Sequence, residues 1–497
     1  VRLHDLLDGL DVPELRPAGS GGARDVDVQS VVHDNRDVEP GALFCCIPGS
    51  TTDGHAFAAA AADAGAVALL VERWVDVDLP QARVASVRTI LGPLSARFHG
   101  DPSRALRVLG VTGTNGKTTT TYLLESIARS AGARTGVVGT ITARVDDRPV
   151  ALRHTTPEAP ELQALLARMR DDGVDTVAME VSSHALEQHR VDATHFDAVC
   201  FTNLSHDHLD YHGTIEAYFE AKARLFTPGF TARAAINVDD AGGRALVARA
   251  TDAGLSVRTY AVDDPSADVT AEGIRHTSAG TAFNLAGLDG TRVSVQTSLV
   301  GVFNVANALA AATTARLSGF NLDDVIAGLA APIVVPGRME RVDAGQGFVV
   351  LVDYAHTPDA LRTVLVASRA LTAPGGRVLA VFGCGGDRDR TKRPIMGSIA
   401  SELADIVVVT SDNPRSEHPA AIVDEILEGI SSSAAPPLVE LDRRQAIREA
   451  LTRARSGDVV VVAGKGHESG QTARGVTRPF DDRLVAREEL EALACPR

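Results

Sequence analysis

The stretch TGTNGKTTT, residues 112–120, comes directly after the apolar run RVLGV (107–111) and runs on into TYLLESIARSAG (121–132). A short apolar strand, a glycine turn and a helix in immediate succession have one well-defined physical use. Successive backbone N–H groups of the turn and of the helix N-terminus point at one spot and cradle a phosphate, Lys117 neutralises it, and the Thr118 hydroxyl can ligate Mg²⁺. The general pattern has a glycine five residues before Gly116, where this chain has Val111, with glycines at 110 and 113 instead. The stretch therefore predicts a specialised phosphate loop, and with it an α/β domain built on a parallel sheet.

Further strands are expected on the C-terminal side at TGVVGTI (135–141), DTVAMEVS (175–182), FDAVCFTN (196–203) and ARAAINV (232–238), which makes a long mononucleotide-type sheet domain. The segment MEVSSHALEQHR (179–190) continues past a strand end, so Glu180 falls where a metal-binding carboxylate can stand opposite Thr118. NLSHDHLDYHG (203–213) holds three histidines and two aspartates in eleven residues, too dense for packed core histidines. Its spacing is not that of a zinc site, and beside a phosphate loop Mg²⁺ held by oxygens is preferred. Spacing alone does not choose between His206 and His208.

On the N-terminal side, ALFCCIPG (42–49), AVALLVE (66–72) and the helix candidate AFAAAAADAGA (56–66) predict a small α/β unit that ends near residue 102, in DPSRALRVL (101–109). Beyond the central segment, VGVFNVANALAAATTARLSGF (300–320) reads as a loop and a helix, and APIVVPGRME (331–340) as a linker between prolines. Then come FVVLVDYAHTP (348–358), RVLAVFGCGGDRD (377–389), ADIVVVTSDNPR (404–415) and GDVVVVAGKGHE (457–468), each an apolar run that stops abruptly on glycine or polar residues. Ligands of open parallel sheets bind outside the carboxyl ends of the strands, so four such ends in one domain predict a site. SSSAAPPL (431–438) reads as a surface loop. The expected division is 1–101, 102–334 and 335–497, three α/β units in all.

Lys and Arg number 49 against 64 Asp and Glu, a formal charge of −15, which argues against a broad nucleic-acid or anionic-membrane surface and leaves room for a local basic pocket. Cys45, Cys46, Cys200, Cys384 and Cys495 are odd in number and form no CxxC pair, as expected of a reduced intracellular chain. The start VRLHDLLDGLDVPEL has acids where a signal peptide has bases, and no run reaches membrane-spanning length. A cytoplasmic, soluble monomer is the expectation.

The order of the tracts TGTNGKTT (112–119), HTTP (154–157), MEVSSHAL (179–186), HLDYHG with AKARLF (208–213, 221–226), FNVANALAA (303–311), PGRME (336–340), DYAHTP (353–358), GCGGDRD (383–389), DNPR (412–415) and GKGHE (464–468) resembles that of the bacterial Mur ligases, ATP-dependent enzymes that add amino acids to the uridine-diphosphate-muramoyl peptide of the cell wall. Within them the chain looks like the member that adds the third residue, meso-diaminopimelate. The resemblance covers essentially the whole chain. It implies an N-terminal domain for the uridine nucleotide, a central ATPase domain and a C-terminal Rossmann-like domain for the amino acid.

It also implies roles. Gly113, Thr114, Asn115, Gly116, Lys117, Thr118 and Thr119 would hold ATP, with Asn304, Arg338 and Asp353 at its adenine, ribose or phosphates and His356 organising the last turn. Thr118, Glu180 and His208 would hold Mg²⁺. Lys222, which spacing alone reads as an ordinary helix lysine, would be carbamylated by CO₂ and hold a second Mg²⁺. Lys117, Lys222, His208 and Glu180 would carry the chemistry. Ser30, Thr155, Thr156, Ser182, Gln188 and Arg190 would bind UDP-N-acetylmuramoyl-L-alanyl-D-glutamate, and Arg388, Asp412, Asn413, Pro414, Arg415, Gly464 and Glu468 the amino acid. The chain departs from many relatives at DNR (34–36), where DSR is commoner, and at His206, where arginine is. Diaminopimelate carries a carboxylate that lysine lacks, and the rigid guanidinium fork of Arg415 suits that group. The rivals are lysine as acceptor, a folate polyglutamate ligase, which gives no reason for HTTP, SSHALEQHR and DNPR together, and an inactive binding module, which has no need of Lys117, Glu180, His208 and Lys222.

Overall fold

Alternation along each strand shows why helices cover both faces of the central sheet. In the strand Arg107–Thr112, Val108 enters one apolar cluster while Leu109 and Val111 enter another. Val177 and Met179 part from Ala178 in the same way, and Val199 and Phe201 from Ala198 and Cys200. Strands buried on both faces are the mark of parallel α/β construction. The computed structural model describes residues 1–12, 14–17, 26–49, 52–277, 280–431 and 435–494. Cys495 and residues 432–434 of the predicted SSSAAPPL loop lie outside the described residues.

Among the described residues the central sheet has 11 strands, and Arg107–Thr112 lies between Ala198–Phe201 and Thr176–Glu180. All six strands from Ser256–Ala261 through Arg233–Asn237 to Thr135–Val138 run parallel. Sequence reasoning missed the parallel strand Ser256–Ala261 and, beyond it, Val269–Thr277 with its antiparallel partners Gly280–Ala286 and Arg292–Thr297, and on the other side Ala143–Val145 with Arg148–Val150. Those strands are largely half-exposed, so they lack the continuous apolar runs that mark the parallel ones. The helix Lys117–Ser130 packs on the sheet against Val302–Leu317, an alanine-rich helix buried over most of its length, and against Leu322–Ala330. Gly328 makes that last contact possible, because a Cβ there would stand 2.4 Å from the Ile127 Cα.

The N-terminal sheet orders its strands Glu14–Arg16, Gln81–Arg83, Ala68–Val71, Ala42–Cys45 and Ser30–Val32, with the helix Val87–Phe98 sharing its core. The C-terminal sheet runs Glu340–Arg341, Val349–Asp353, Val459–Ala463, Val378–Phe382, Ile406–Val409 and Leu438–Val439. Val350 and Val352 face one core and Leu351 the other. This order seats GKGHE between DYAHTP and GCGGDRD, with DNPR next along. Cys45, Cys46, Cys200 and Cys384 are free and buried. No helix among the described residues is long and apolar enough to cross a membrane.

Candidate active site

The phosphate loop forms as its residue types require. Gly113 and Gly116 sit at φ +147° and +88°, and Cβ atoms there would lie 1.9 Å from Thr202 Oγ1 and 2.4 Å from Asn307 Oδ1. Both glycines thus keep the cradle open as well as permit its conformation. The loop is clamped by the end of the neighbouring strand. Asn203 Oδ1 accepts from the Asn115 N–H at 2.8 Å, while Thr202 Oγ1 (2.6 Å) and Asn203 Nδ2 (3.1 Å) donate to the Asn115 carbonyl. Sequence reasoning quoted FDAVCFTN as a strand and overlooked this clamp; the signal was a Thr-Asn pair at the carboxyl end of a strand beside the loop.

Lys117 Nζ donates to the carbonyls of Gly113 (2.9 Å) and Thr114 (2.7 Å), and Lys222 Nζ donates to the same Gly113 carbonyl at 2.8 Å. Lys222 is only 1% exposed, with its Nζ 4.2 Å from the Tyr218 ring centroid. Burial first, and then the nearby charge of Lys117, push the Lys222 amine well below its ordinary pKa. Burial likewise lowers that of Lys117.

Glu180 is buried and its two oxygens accept from the Thr140 N–H (2.9 Å) and Oγ1 (3.0 Å). His208 lies across the same cavity at φ +53°, its ring set edge-on to His184 at 4.9 Å. His206 turns away to Asp389, Nε2 to Oδ2 3.2 Å, and so joins the central and C-terminal units. Among the described residues no three His, Cys, Asp or Glu side chains gather tightly enough to hold a metal alone.

The cavity, about 440 Å³, is walled by Thr114–Thr119, Glu180, His208 and Lys222 from the central unit and by Arg338, Asp353 and His356 from beyond residue 335. Thr155 and Ser182 also line it. The Arg338 guanidinium stacks 4.4 Å from the Tyr354 ring centroid and reaches Thr118 Oγ1 at 3.5 Å. The Asp353 carboxylate accepts from the Met339 (2.7 Å) and Ala355 (2.8 Å) N–H groups, and burial raises its pKa. Asn304 does not line the cavity: its amide donates to the Val300 carbonyl (2.8 Å) and accepts from Asn307 (3.0 Å). Asn307, one turn on, forms the wall.

Thr156 and Arg190 lie behind the wall as braces. Thr156 Oγ1 donates to the Glu180 carbonyl at 2.9 Å, and Arg190 donates to the Thr156 carbonyl (3.1 Å) and to Gln188 Oε1 (2.6 Å). Ser182 caps a short helix by accepting from the Ala185 N–H. Ser30 lies in the N-terminal sheet opposite Ala42, outside the cavity. The Asp34 carboxylate of DNR instead binds Arg36 and, at 2.8 Å, Arg153 beside HTTP.

The acceptor candidates form a second cluster outside this cavity. Asn413 Nδ2 donates to Glu468 Oε2 at 2.8 Å, and Lys465, fully buried, donates to Glu468 (2.9 Å) and to Asn413 Oδ1 (3.2 Å). Nothing in the tract GKGHE by itself marks Lys465 as the buried partner of Glu468. Burial raises the Asp412 pKa against the opposing charges of Arg443 and Lys465. Gly464, at φ +118°, lets Asp412 approach, since a Cβ would lie 2.8 Å from Asp412 Oδ2. The Pro414 carbonyl accepts from the Glu417 N–H at 2.9 Å. Arg415, at φ +50°, sends Nη1 to the Gly386 carbonyl at 2.5 Å, and Arg388 is exposed.

A clamped phosphate loop with buried lysines, facing the strand ends of a second Rossmann-like sheet, defines a three-unit α/β protein of the nucleotide-dependent ligase class. The chain belongs to the Mur ligase family: residues 27–99 match its "Mur ligase family, catalytic domain", 111–315 the "Mur ligase middle domain" and 337–466 the "Mur ligase, glutamate ligase domain". It is 47% identical to the UDP-N-acetylmuramoyl-L-alanyl-D-glutamate--2,6-diaminopimelate ligase of Gloeobacter violaceus, over 99% of this chain and 98% of the relative. Its identity to the ligase of the same name from Streptomyces coelicolor is 45%, over 98% and 96% of the two chains. A solved structure of a ligase so named superposes with a TM-score of 0.71 at 35% identity, covering 100% of both chains.

Proposed function

We propose that the protein is an ATP-dependent ligase that joins meso-2,6-diaminopimelate to UDP-N-acetylmuramoyl-L-alanyl-D-glutamate, forming an amide bond in cytoplasmic peptidoglycan precursor synthesis. One observation carries this reading: the phosphate-loop cavity and the strand ends bearing DNPR occur in a chain that matches ligases of that activity along nearly its whole length.

The D-glutamate carboxylate oxygen attacks the γ-phosphorus of ATP and the bond to ADP breaks, giving an acyl phosphate. The diaminopimelate amine then attacks the acyl carbon, loses a proton, and phosphate leaves. Negative charge grows first on phosphoryl oxygens and then on the carbonyl oxygen, and preoriented cations must meet it. Lys117 and the N–H groups of residues 114–119 suit the first, and Arg338, stacked on Tyr354, reaches toward the same place. Thr155 and Ser182 on the wall would hold the muramoyl nucleotide, braced from behind by Gln188 and Arg190, with Ser30 at its uridine end.

The donors also fit Mg²⁺. Thr118 and Glu180 offer hard oxygens and His208 a nitrogen, and the shortage of protein ligands leaves positions for phosphate oxygens and water, as that ion prefers. Bound there, Mg²⁺ would supply charge neutralisation at the phosphates. The depressed Lys222 pKa keeps a larger share of that amine neutral than on an exposed lysine, which is the form that adds CO₂. A carbamate there would replace an ammonium by a carboxylate.

Purified protein given both substrates, Mg²⁺ and ATP is expected to yield ADP, phosphate and a nucleotide heavier by one diaminopimelate residue on mass detection. A folded protein that leaves the nucleotide mass unchanged would refute the reading. Arg415→Ala is expected to weaken acceptor binding by about 2–5 kcal/mol, the range for truncating one partner of a hydrogen-bonded charge pair, and to spare nucleotide binding. Parental use of diaminopimelate by this variant would remove Arg415 from the acceptor site.

A further inference from the structure

The two loops that carry Arg388 and Arg415 are joined to each other, and the second is also tied to the hairpin of Gly470–Ala473 and Val476–Pro479, where the Arg415 N–H donates to the Thr472 carbonyl (3.0 Å) and the Arg474 N–H to the Arg415 carbonyl (2.6 Å). The Gly386 N–H donates to the Asn413 carbonyl at 2.9 Å, and a Cβ on Gly386 would stand only 2.0 Å from the Pro414 carbonyl oxygen. Asp387 accepts from Ser416 through both its Oγ (2.6 Å) and its N–H (3.1 Å). Asp387 and Arg415 both hold positive φ, +53° and +50°, conformations that non-glycine residues keep only when their surroundings impose them.

Besides that hairpin, an ion pair behind the loops holds them, its arginine buried and its carboxylate half-buried. Arg393, 0% exposed on the first turn of the helix Lys392–Leu403, grips Glu417 with both terminal nitrogens, at 2.8 and 2.9 Å. The same guanidinium donates to Glu425 (2.9 Å) and to the Gly385 carbonyl (3.2 Å). Glu417 Oε1 accepts in addition from the Asp387 N–H at 2.6 Å. One carboxylate, three residues past the proline of DNPR, thus ties together the helix, the Arg388 loop and the Arg415 loop. Neither Arg393 nor Glu417 was singled out from the sequence.

We propose that Arg393 and Glu417 are positioning residues that set the separation of the Arg388 and Arg415 guanidiniums, and thereby the preference for a diamino dicarboxylate over a diamino monocarboxylate acceptor. The proposal rests on the ligase reading above and deepens it. Both residues act through the loops they join, and the two arginines do the recognising. A displaced loop moves both cations relative to the acceptor's far carboxylate while leaving the phosphate cavity, which neither loop lines, undisturbed.

The test compares Glu417→Gln and Arg393→Lys with the parent, using meso-diaminopimelate and L-lysine as acceptors. Glu417→Gln keeps the volume but loses the charge and one acceptor oxygen. Each variant is expected to raise the KM for diaminopimelate roughly tenfold or more, the scale of a small misplacement of binding groups. The ratio of kcat/KM for diaminopimelate to that for lysine should fall with it, while kcat at saturating acceptor and the KM for ATP stay within about twofold of the parent. A lower melting temperature with parental KM and parental ratio would reduce the pair to a structural role and overturn the proposal. Should a buried-pair variant fail to fold, Ser416→Ala, which cuts an exposed link of the same junction, carries the comparison, and a parental ratio there overturns it equally. A parent protein that ligates neither acceptor refutes the ligase reading; an active parent whose variants keep their selectivity refutes only the positioning role.

Discussion

Lys222→Arg is expected to lower kcat by roughly 10²–10³-fold, the scale on which loss of one preoriented electrostatic group acts in an enclosed site. The residue is buried, donates to the Gly113 carbonyl at 2.8 Å and lies over the Tyr218 ring. Arginine keeps the positive charge but never presents a neutral amine, so it cannot add CO₂. An N–H survives carbamylation of lysine, so the bond to Gly113 is compatible with both forms. Steady-state turnover measures the loss. Carbon-13 NMR of parent protein equilibrated with labelled bicarbonate tests its cause: a carbamate resonance is expected in the parent and none in the variant. Parental turnover by the variant, or an unlabelled parent, would remove the carbamate from the mechanism.

Asp482→Ala should be the most destabilising single change in the C-terminal unit, by about 3–5 kcal/mol, the cost of leaving a buried charge without its partner. Arg443 and Asp482 are both fully buried and are joined by two bonds of 2.7 Å. The guanidinium also donates to the carbonyls of Ser411 (3.2 Å) and Ala463 (2.9 Å), the residues just before DNPR and GKGHE. Against a domain stability of about 5–15 kcal/mol such a loss is large. Urea unfolding of the C-terminal unit reads it directly, and the KM for the amino acid should rise because both loops hang from the same guanidinium. A shift under about 1 kcal/mol would mean that Arg443 finds other compensation. The double change Arg443→Met with Asp482→Leu should recover most of the stability, since a buried pair often contributes little beyond what packed apolar groups supply.

The parallel core strands were legible because burial on both faces demands uninterrupted apolar runs, and those at 107–111, 349–353, 378–382, 406–409 and 459–463 end abruptly on glycine or polar residues. The antiparallel edge strands and the parallel strand Ser256–Ala261 were not, since half-exposed strands leave no such run. Of the site, the phosphate loop was legible because its function is local: nine consecutive residues supply the turn, the cation and the hydroxyl. Glu180 was legible by its place at a strand end.

The sequence by itself thus determined the fold class, the phosphate loop, which strands stop abruptly on glycine or polar residues, and the family resemblance. Tertiary structure decided which groups meet. Lys117 and Lys222, 105 positions apart, share the Gly113 carbonyl only because strand order and helix packing bring them there. Asn203 clamps the loop because Ala198–Phe201 pairs with Arg107–Thr112. Asn307 rather than Asn304 reaches the wall because the two share one helix face a turn apart, and it is Asn307 that stands level with Gly116 while the Asn304 amide bonds the Val300 carbonyl. Arg393 with Glu417 and Arg443 with Asp482 are ordinary exposed-type charges in sequence. Spacing along a chain encodes local backbone geometry, whereas burial and the partner of a charge are properties of the packed whole.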